Sequence, residues 1–423
     1  MESVEVPNKN NEWNFVNSVG KKGIHKVFQY PGTMVPDMLD KIISTYLEKD
    51  DRVVLDPFMG TGTVLFETIK SGRKAIGIDI NPYASFGVKV KSSFYSRESI
   101  QNFFSELQKN IYETSEPDET YSFPFIEKWY TKKNIKELSI IRQCIMMIKS
   151  SKYRDFFLLS LAELAGKISN SRNSTFKLHI RKKEDIEKRN FDIIELFFDV
   201  AKTSIELVLN DSKYHYHKNI SILNDNTVDL SKKSLNILNE KVDAIITSPP
   251  YGDNHTTITY GQYSYLRYCW IGIENIGITD QLQNDILKIS GVDSNSAGGK
   301  LHSIKNIENS SILDFSPTLN NYYVELNELN NRNARKVASF YMDLHESLKL
   351  MLSVLKDKGI CVFIVGDRKV SGKNISFKDI LLELTLGLNM EMLDCIPRKI
   401  IGSYMPGSIK QEHIVIMRKN DSN

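Results

Sequence analysis

Ser248, Pro249, Pro250 and Tyr251 follow directly on the apolar run Val242–Thr247, and their types suggest a chemistry. The two prolines carry no N–H and stiffen the backbone. What remains is acceptor-rich: the Ser248 hydroxyl and the carbonyls of Ser248 and Pro249. Such an edge suits a ligand that donates, for example the exocyclic NH2 of a nucleobase. That nitrogen is a weak nucleophile because its lone pair is delocalised into the ring. Acceptors for its two protons would turn the lone pair toward an electrophile. Tyr251 offers a ring for the base to stack on, worth about 1–3 kcal/mol. Without context the same residues also describe a rigid turn with a packed tyrosine.

A second group lies near the start of the chain, in "LDPFMGTGTV". Gly60 and Gly62 allow positive φ and let backbone approach a ligand without a Cβ in the way. Asp79 follows 19 residues after Gly60, the spacing at which a carboxylate reaches the ribose hydroxyls of an adenosine-type cofactor. A dinucleotide fingerprint would need a third glycine where Leu65 stands, and no Gly-Lys-Ser/Thr follows to make a P-loop. The pattern fits a cofactor with an adenosine and no phosphate.

These groups need a frame. "VVLDPF" (53–58) and "KAIGIDI" (74–80) read as buried strands on either side of a helix that Gly72 stops, which makes a βαβ unit and a parallel sheet. Residues 96–216 are helical in pattern. Strands resume at 220–223, 242–248, 359–366, 391–397 and 413–419. One long amphipathic helix is expected from about Asn321 to Lys356, stopped by Gly359, and a loop between Ile273 and Thr318. The fold class is α/β, a doubly wound, mostly parallel seven-stranded Rossmann-like sheet with a helical insertion.

The composition is that of an ordinary soluble protein: 423 residues, 41% hydrophobic and 25% charged, with a formal net charge of +3. The four cysteines form no C-x-x-C pair, so neither a zinc site nor a disulfide framework is expected, and no metal is called for. The first thirty residues have no apolar signal core and no run reaches transmembrane length, so the expected location is cytoplasmic, away from membranes.

At "DPFMGTGT", "GIDINP" and "SPPY" the chain resembles the S-adenosyl-L-methionine (AdoMet)-dependent DNA methyltransferases that act on exocyclic amines, and among them the N4-cytosine type. The likeness spans residues 25–95, 219–272 and 334–419. It implies that Asp56, Pro57, Phe58, Gly60, Gly62, Thr63, Asp79, Ile80 and Asn81 bind AdoMet. Tyr30 and Pro31 in "HKVFQYPGTMVP" would cover its methionine end, and Asp225 in "LNDN" would meet the adenine ring. Ser248, Pro249, Pro250 and Tyr251 become the catalytic residues. The implied reaction is direct methyl transfer to a base flipped out of duplex DNA, at a cost of a few kcal/mol. A companion restriction endonuclease is the functional partner. Serine at the head of the motif leans toward cytosine N4. Adenine N6 is the alternative, and RNA guanine N2 a further one, though those enzymes usually carry an RNA-binding domain ahead of the core. A catalytically idle AdoMet-fold protein that only binds nucleic acid is disfavoured because both loops look intact. A cytosine-C5 enzyme would need a Pro-Cys nucleophile, and no cysteine here follows proline.

The resemblance divides the chain into an N-terminal tail (1–24), core segments at 25–95, 217–272 and 334–423, and insertions at 96–216 and 273–333 available for target recognition. Phosphate contacts are sought in "GDRKVSGK" and "PRKII", at Arg368, Lys369, Arg398 and Lys399. "RKKEDIEKR" (181–189) interleaves acids and reads as a solvated face. The aromatics of "YGQYSYLRYCW" (260–270) read as core, and His25 as a hydrogen-bonded structural histidine.

Overall fold

Continuous apolar runs, each bounded by turn residues, build the central sheet of the computed structural model. The structure describes residues 12–16, 18, 21–172, 176–253, 257–278, 282–400 and 410–421. The strands are β1 (Val53–Asp56), β2 (Lys74–Asp79), β3 (Ile220–Asn224), β4 (Val242–Thr247), β5 (Leu355–Gly366), β6 (Arg368–Val370), β7 (Lys373–Ile375), β8 (Met390–Lys399) and β9 (Gln411–Lys419). Seven of them form one sheet in the order β3-β2-β1-β4-β5-β9-β8, and β6 and β7 pair apart from it. The pairings of β1 with β2 and β4, of β2 with β3 and of β4 with β5 are parallel. Only β9 runs against its neighbours β5 and β8. This is the doubly wound Rossmann-like sheet, and its strand order reverses between β1 and β4.

Alternation along the strands splits the core in two. Val54, Ala244, Ile246, Val362, Ile364 and Ile414 face one side of the sheet, where they join the helices Pro36–Tyr46, Pro82–Ser92 and Tyr260–Ile271. Leu55, Ile245, Cys361, Phe363, Val365 and Val415 face the other, against helices Asn331–Val354 and Phe377–Leu386. Each fully buried Ile, Leu or Phe contributes about 1.5–3 kcal/mol, so reversing one strand's facing would be prohibitive.

The helices of the 96–216 insertion do not stand apart. Leu138, Ile141, Phe156, Leu161, Phe197 and Ala201 belong to the first of these cores. The helix Ser151–Ile168 reaches the cofactor side of the molecule, where Glu163 accepts from the Gln29 amide at 3.0 Å and bonds the Tyr83 hydroxyl.

Two expectations need correcting. The helix read from Asn321 to Lys356 is two helices, Pro317–Leu329 and Asn331–Val354. Asn330 separates them in an extended conformation and its side chain caps the second. Gly359 stops neither, because β5 already begins at Leu355. The stretch between Ile273 and Thr318 is not all loop: it contains the short helices Gly291–Asn295, Ile304–Asn309 and Ile312–Phe315.

Candidate active site

Open α/β sheets bind ligands off the carboxyl ends of their strands where the order reverses, and a cleft of about 820 Å³, open to solvent, lies there. Gly60 and Gly62 follow β1 at φ +47° and +73°. A Cβ on Gly60 would lie 3.5 Å from the Tyr30 ring, and one on Gly62 only 2.9 Å from Val88. Gly60 therefore serves the cleft, while Gly62 serves the packing of the helix that follows.

Asp79 ends β2 with one oxygen accepting from the Gly60 amide at 2.9 Å and the other from the Asn81 amide at 2.8 Å. Burial lifts its carboxyl to about 6, against the pull of those two bonds. Asn81 caps the next helix through Tyr83 N, and its Nδ2 bonds the Tyr30 hydroxyl and Ser264 Oγ. Tyr30 stacks on Tyr260 with ring centres 5.3 Å apart. Asp225 accepts from Asn226 N, Ser231 N and Ser234 Oγ, and these bonds outweigh burial and hold its carboxyl below the ordinary range.

The Ser248–Tyr251 turn leaves β4 beside this group. Tyr30, Pro31, Pro57, Phe58, Gly60 and Thr63 line the cleft, as do Asp79, Ile80, Asn81 and Asp225, and Ser248 and Pro250 close it. Four of the residues sought for the site do not line the cleft. Gly62 packs on Val88, and the Pro249 ring is buried. Asp56 is fully buried and ties β1 to β4: its Oδ1 accepts from Thr247 Oγ1 at 2.7 Å and from Phe58 N at 3.1 Å. Desolvation raises its carboxyl to about 7. Tyr251 is part-buried and does not line the cleft, with its hydroxyl on Glu412 and its ring 6.2 Å from that of Phe377 at 69°.

The two arginines sought as phosphate contacts are also placed differently. Arg368 is 9% exposed and pairs with Asp253 at 3.1 Å, its guanidinium filling the space over Gly252. Arg398 is 6% exposed and pairs with Glu412 at 3.2 Å. Both are buried because a carboxylate meets each, Asp253 for Arg368 and Glu412 of the neighbouring strand for Arg398, and both brace the Ser248–Tyr251 turn. Lys369 and Lys399 are exposed. His25 is buried, with Nε2 2.7 Å from Glu67, and burial lowers it to about 4.

Sequence reasoning missed several wall residues. Tyr260 lines the cleft, whereas Tyr265, Tyr268 and Trp270 of the same aromatic stretch are core. Val292, Ser296 and Ala297 complete the wall from the polar stretch read as loop. Buried Asp293 holds that segment in place by accepting from the Gly261 and Gln262 amides at the start of helix Tyr260–Ile271. No periodicity marks these residues. Their one sequence signal is an aspartate that the helix start needs.

A sheet of this order with such a cleft at its switch point is the frame of an AdoMet-dependent methyltransferase. Residues 3–89 match the DNA methylase family of N6/N4 type. The type II methyltransferase M.MvaI of Kocuria varians is 28% identical over 420 residues, covering 94% of this chain and 89% of that protein. M.AvaI of a Nostoc species is 24% identical over 416 residues, covering 88% and 80%. M.MjaII of Methanocaldococcus jannaschii is 28% identical over a shorter stretch of 94 residues. By these matches the chain is similar to the AdoMet-dependent DNA amino-methyltransferases of the N6/N4 kind. Among the described residues, no helix is long and apolar enough to cross a membrane and no side-chain cluster could hold a metal ion.

The residues present fit AdoMet. A tyrosine over a bare Gly60 leaves a flat slot, and Asp79, with both oxygens turned to the loop, keeps lone pairs for hydroxyl donors.

Proposed function

We propose that this protein transfers a methyl group from AdoMet to the N4 amine of a cytosine flipped out of duplex DNA, as the modifying half of a restriction-modification system. The observation that carries the reading is the meeting of Ser248 and Pro250 with Gly60, Asp79 and Tyr30 in one cleft. AdoMet bound there supplies an electrophilic methyl group. Tyr30, Pro31, Gly60, Asp79, Ile80 and Asp225, which line the cleft, would hold it, Asp79 by accepting from the ribose hydroxyls. Ser248 Oγ and the carbonyls of the proline turn accept the protons of the target amine and direct its lone pair. Proximity and orientation are the main contribution, since no covalent enzyme intermediate is needed.

Support for the restriction-modification role comes from the relatives, each named a type II methyltransferase. Serine ahead of the two prolines favours cytosine N4, and adenine N6 is the second reading because the same edge serves either amine. Lys369 and Lys399, both exposed, are the basic residues we assign to phosphate, whose contacts offset the cost of flipping. The test is transfer of labelled methyl from AdoMet to duplex DNA, followed by mass spectrometry of the digested product. N4-methylcytosine is expected, together with loss of transfer in Ser248→Ala. N6-methyladenine would establish the second reading, and methylation of RNA alone would refute both.

A further inference from the structure

Behind the catalytic turn a line of hydrogen bonds runs inward from the cleft. Ser248 Oγ is 3.1 Å from the Tyr251 hydroxyl, and that hydroxyl donates to Glu412 Oε1 at 2.8 Å. Glu412 stands on β9 between Gly366 of β5 and Arg398 of β8. Its Oε2 is 3.2 Å from Arg398 Nη1, and the two side chains are 13% and 6% exposed, so the pair is shielded from water.

Such a line has a direction. An ionised carboxylate accepts and never donates. The phenol proton must therefore point at Glu412, and the phenol oxygen takes the proton of Ser248. Ser248 is left with only lone pairs to offer the cleft that it lines. A serine hydroxyl without this tether rotates and donates as readily as it accepts. Facing an amine, a donating Ser248 would bind the nitrogen lone pair that has to attack the methyl group.

We propose that Glu412, kept ionised by Arg398 and acting through Tyr251, is a positioning residue that fixes the Ser248 hydroxyl as an acceptor for the target amine. The proposal rests on the reading above, in which Ser248 receives an exocyclic amine. It adds a residue on β9, far from the motif in sequence, and an arginine whose task is to hold a charge rather than to touch DNA.

Acid should undo the arrangement. Among the described residues, the charged or titratable groups bonded to Glu412 are Arg398 from β8 and Tyr251 from the turn after β4, while its β5 neighbour Gly366 carries no charge. Desolvation holds the Glu412 carboxyl above the ordinary range. Once protonated, it can donate to the phenol and reverse the line, turning the Ser248 proton into the cleft.

Glu412→Gln keeps the size of the side chain and mimics the protonated acid at every pH, since its carbonyl meets Arg398 and its NH2 meets the phenol. The expected result is a kcat for DNA methylation lowered by about tenfold or more. Affinity for S-adenosylhomocysteine and stability in urea should stay as in the unaltered protein. The acid fall in kcat of the unaltered protein should be absent from the variant. A variant that keeps full kcat and the acid fall would overturn the proposal. So would a loss of S-adenosylhomocysteine affinity and stability in step with kcat, which would make Glu412 a structural residue. If the unaltered protein methylates no DNA amine, the reading beneath the proposal fails and takes it along. If it methylates adenine, only the base changes, and the same kcat comparison on adenine decides.

Discussion

Asp79 reaches back 19 residues to Gly60, its Oδ2 accepting from the glycine amide at 2.9 Å, so the end of β2 holds the loop that leaves β1. The same carboxylate is assigned to the cofactor ribose, and one side chain then shapes the slot and binds what enters it. Ribose hydroxyls donate best to the ionised form. Burial lifts this carboxyl to about 6 in the free protein, so acidification through that value neutralises it and weakens binding. Below it, the Kd for S-adenosylhomocysteine should rise, approaching about tenfold per pH unit. Asp79→Asn should lose about 1.5–3 kcal/mol of binding at neutral pH and flatten the profile. Calorimetry across pH 5 to 8 measures both, and a profile as steep in the variant would dismiss Asp79 as the titrating group.

Local pattern made much of this architecture readable. β4 is six consecutive buried residues, and a run of that length with prolines behind it reads as a central strand. The glycine loop and Asp79 were readable because their spacing is set by one βαβ unit. What stayed hidden depends on partners far along the chain. Arg368 looks like a surface cation until Asp253, 115 residues away, is seen beside it. The partner of the Tyr251 hydroxyl, Glu412, lies 161 residues away and no local pattern announces it. The break at Asn330 was hidden for another reason. Amphipathic spacing continues across it, and only the asparagine's capping bond to Asn333 separates the helices.

The pairing of Arg368 with Asp253 predicts a contrast between adjacent residues. Both groups are buried, and removing one charge of such a pair costs about 3–5 kcal/mol. Arg368→Met should show that loss in urea unfolding. Lys369→Ala should leave stability within about 0.5 kcal/mol. If Lys369 meets phosphate, this variant should also lower the salt dependence of DNA binding by about one unit of log–log slope. Equal stability of the two variants would remove the buried pair from the account of the turn.

Gly62 predicts a defect of stability rather than of binding. Its φ of +73° disfavours any side chain, by roughly 1–2 kcal/mol. A Cβ there would also stand 2.9 Å from Val88, closer than packed carbons tolerate. Gly62→Ala should therefore lose about 2–3 kcal/mol in urea unfolding. Gly62 does not line the cleft, so S-adenosylhomocysteine should bind the folded variant nearly as before. A variant of full stability with impaired binding would move Gly62 from packing residue to ligand contact.

Tyr260 tests whether the cleft wall is made by shape or by hydrogen bonding. Its ring lies against Tyr30 at 5.3 Å and 24°, and Tyr30 in turn lies over Gly60. Tyr30 is also tethered by its hydroxyl to Asn81 at 3.0 Å. Tyr260 therefore acts on the cofactor slot through the face of its ring, by keeping Tyr30 from swinging away from the glycine loop. An aromatic pair of this kind is worth about 0.5–1.5 kcal/mol beyond buried area. Tyr260→Phe keeps the ring and should bind S-adenosylhomocysteine like the unaltered protein. Tyr260→Ala should weaken binding by about tenfold, near the upper end of that range together with the lost contact area. Asn81→Ala, which frees the Tyr30 hydroxyl, should add little to the loss in Tyr260→Ala, because both changes release the same ring and coupled residues do not add. Full additivity in the double variant would show that the two hold the slot independently.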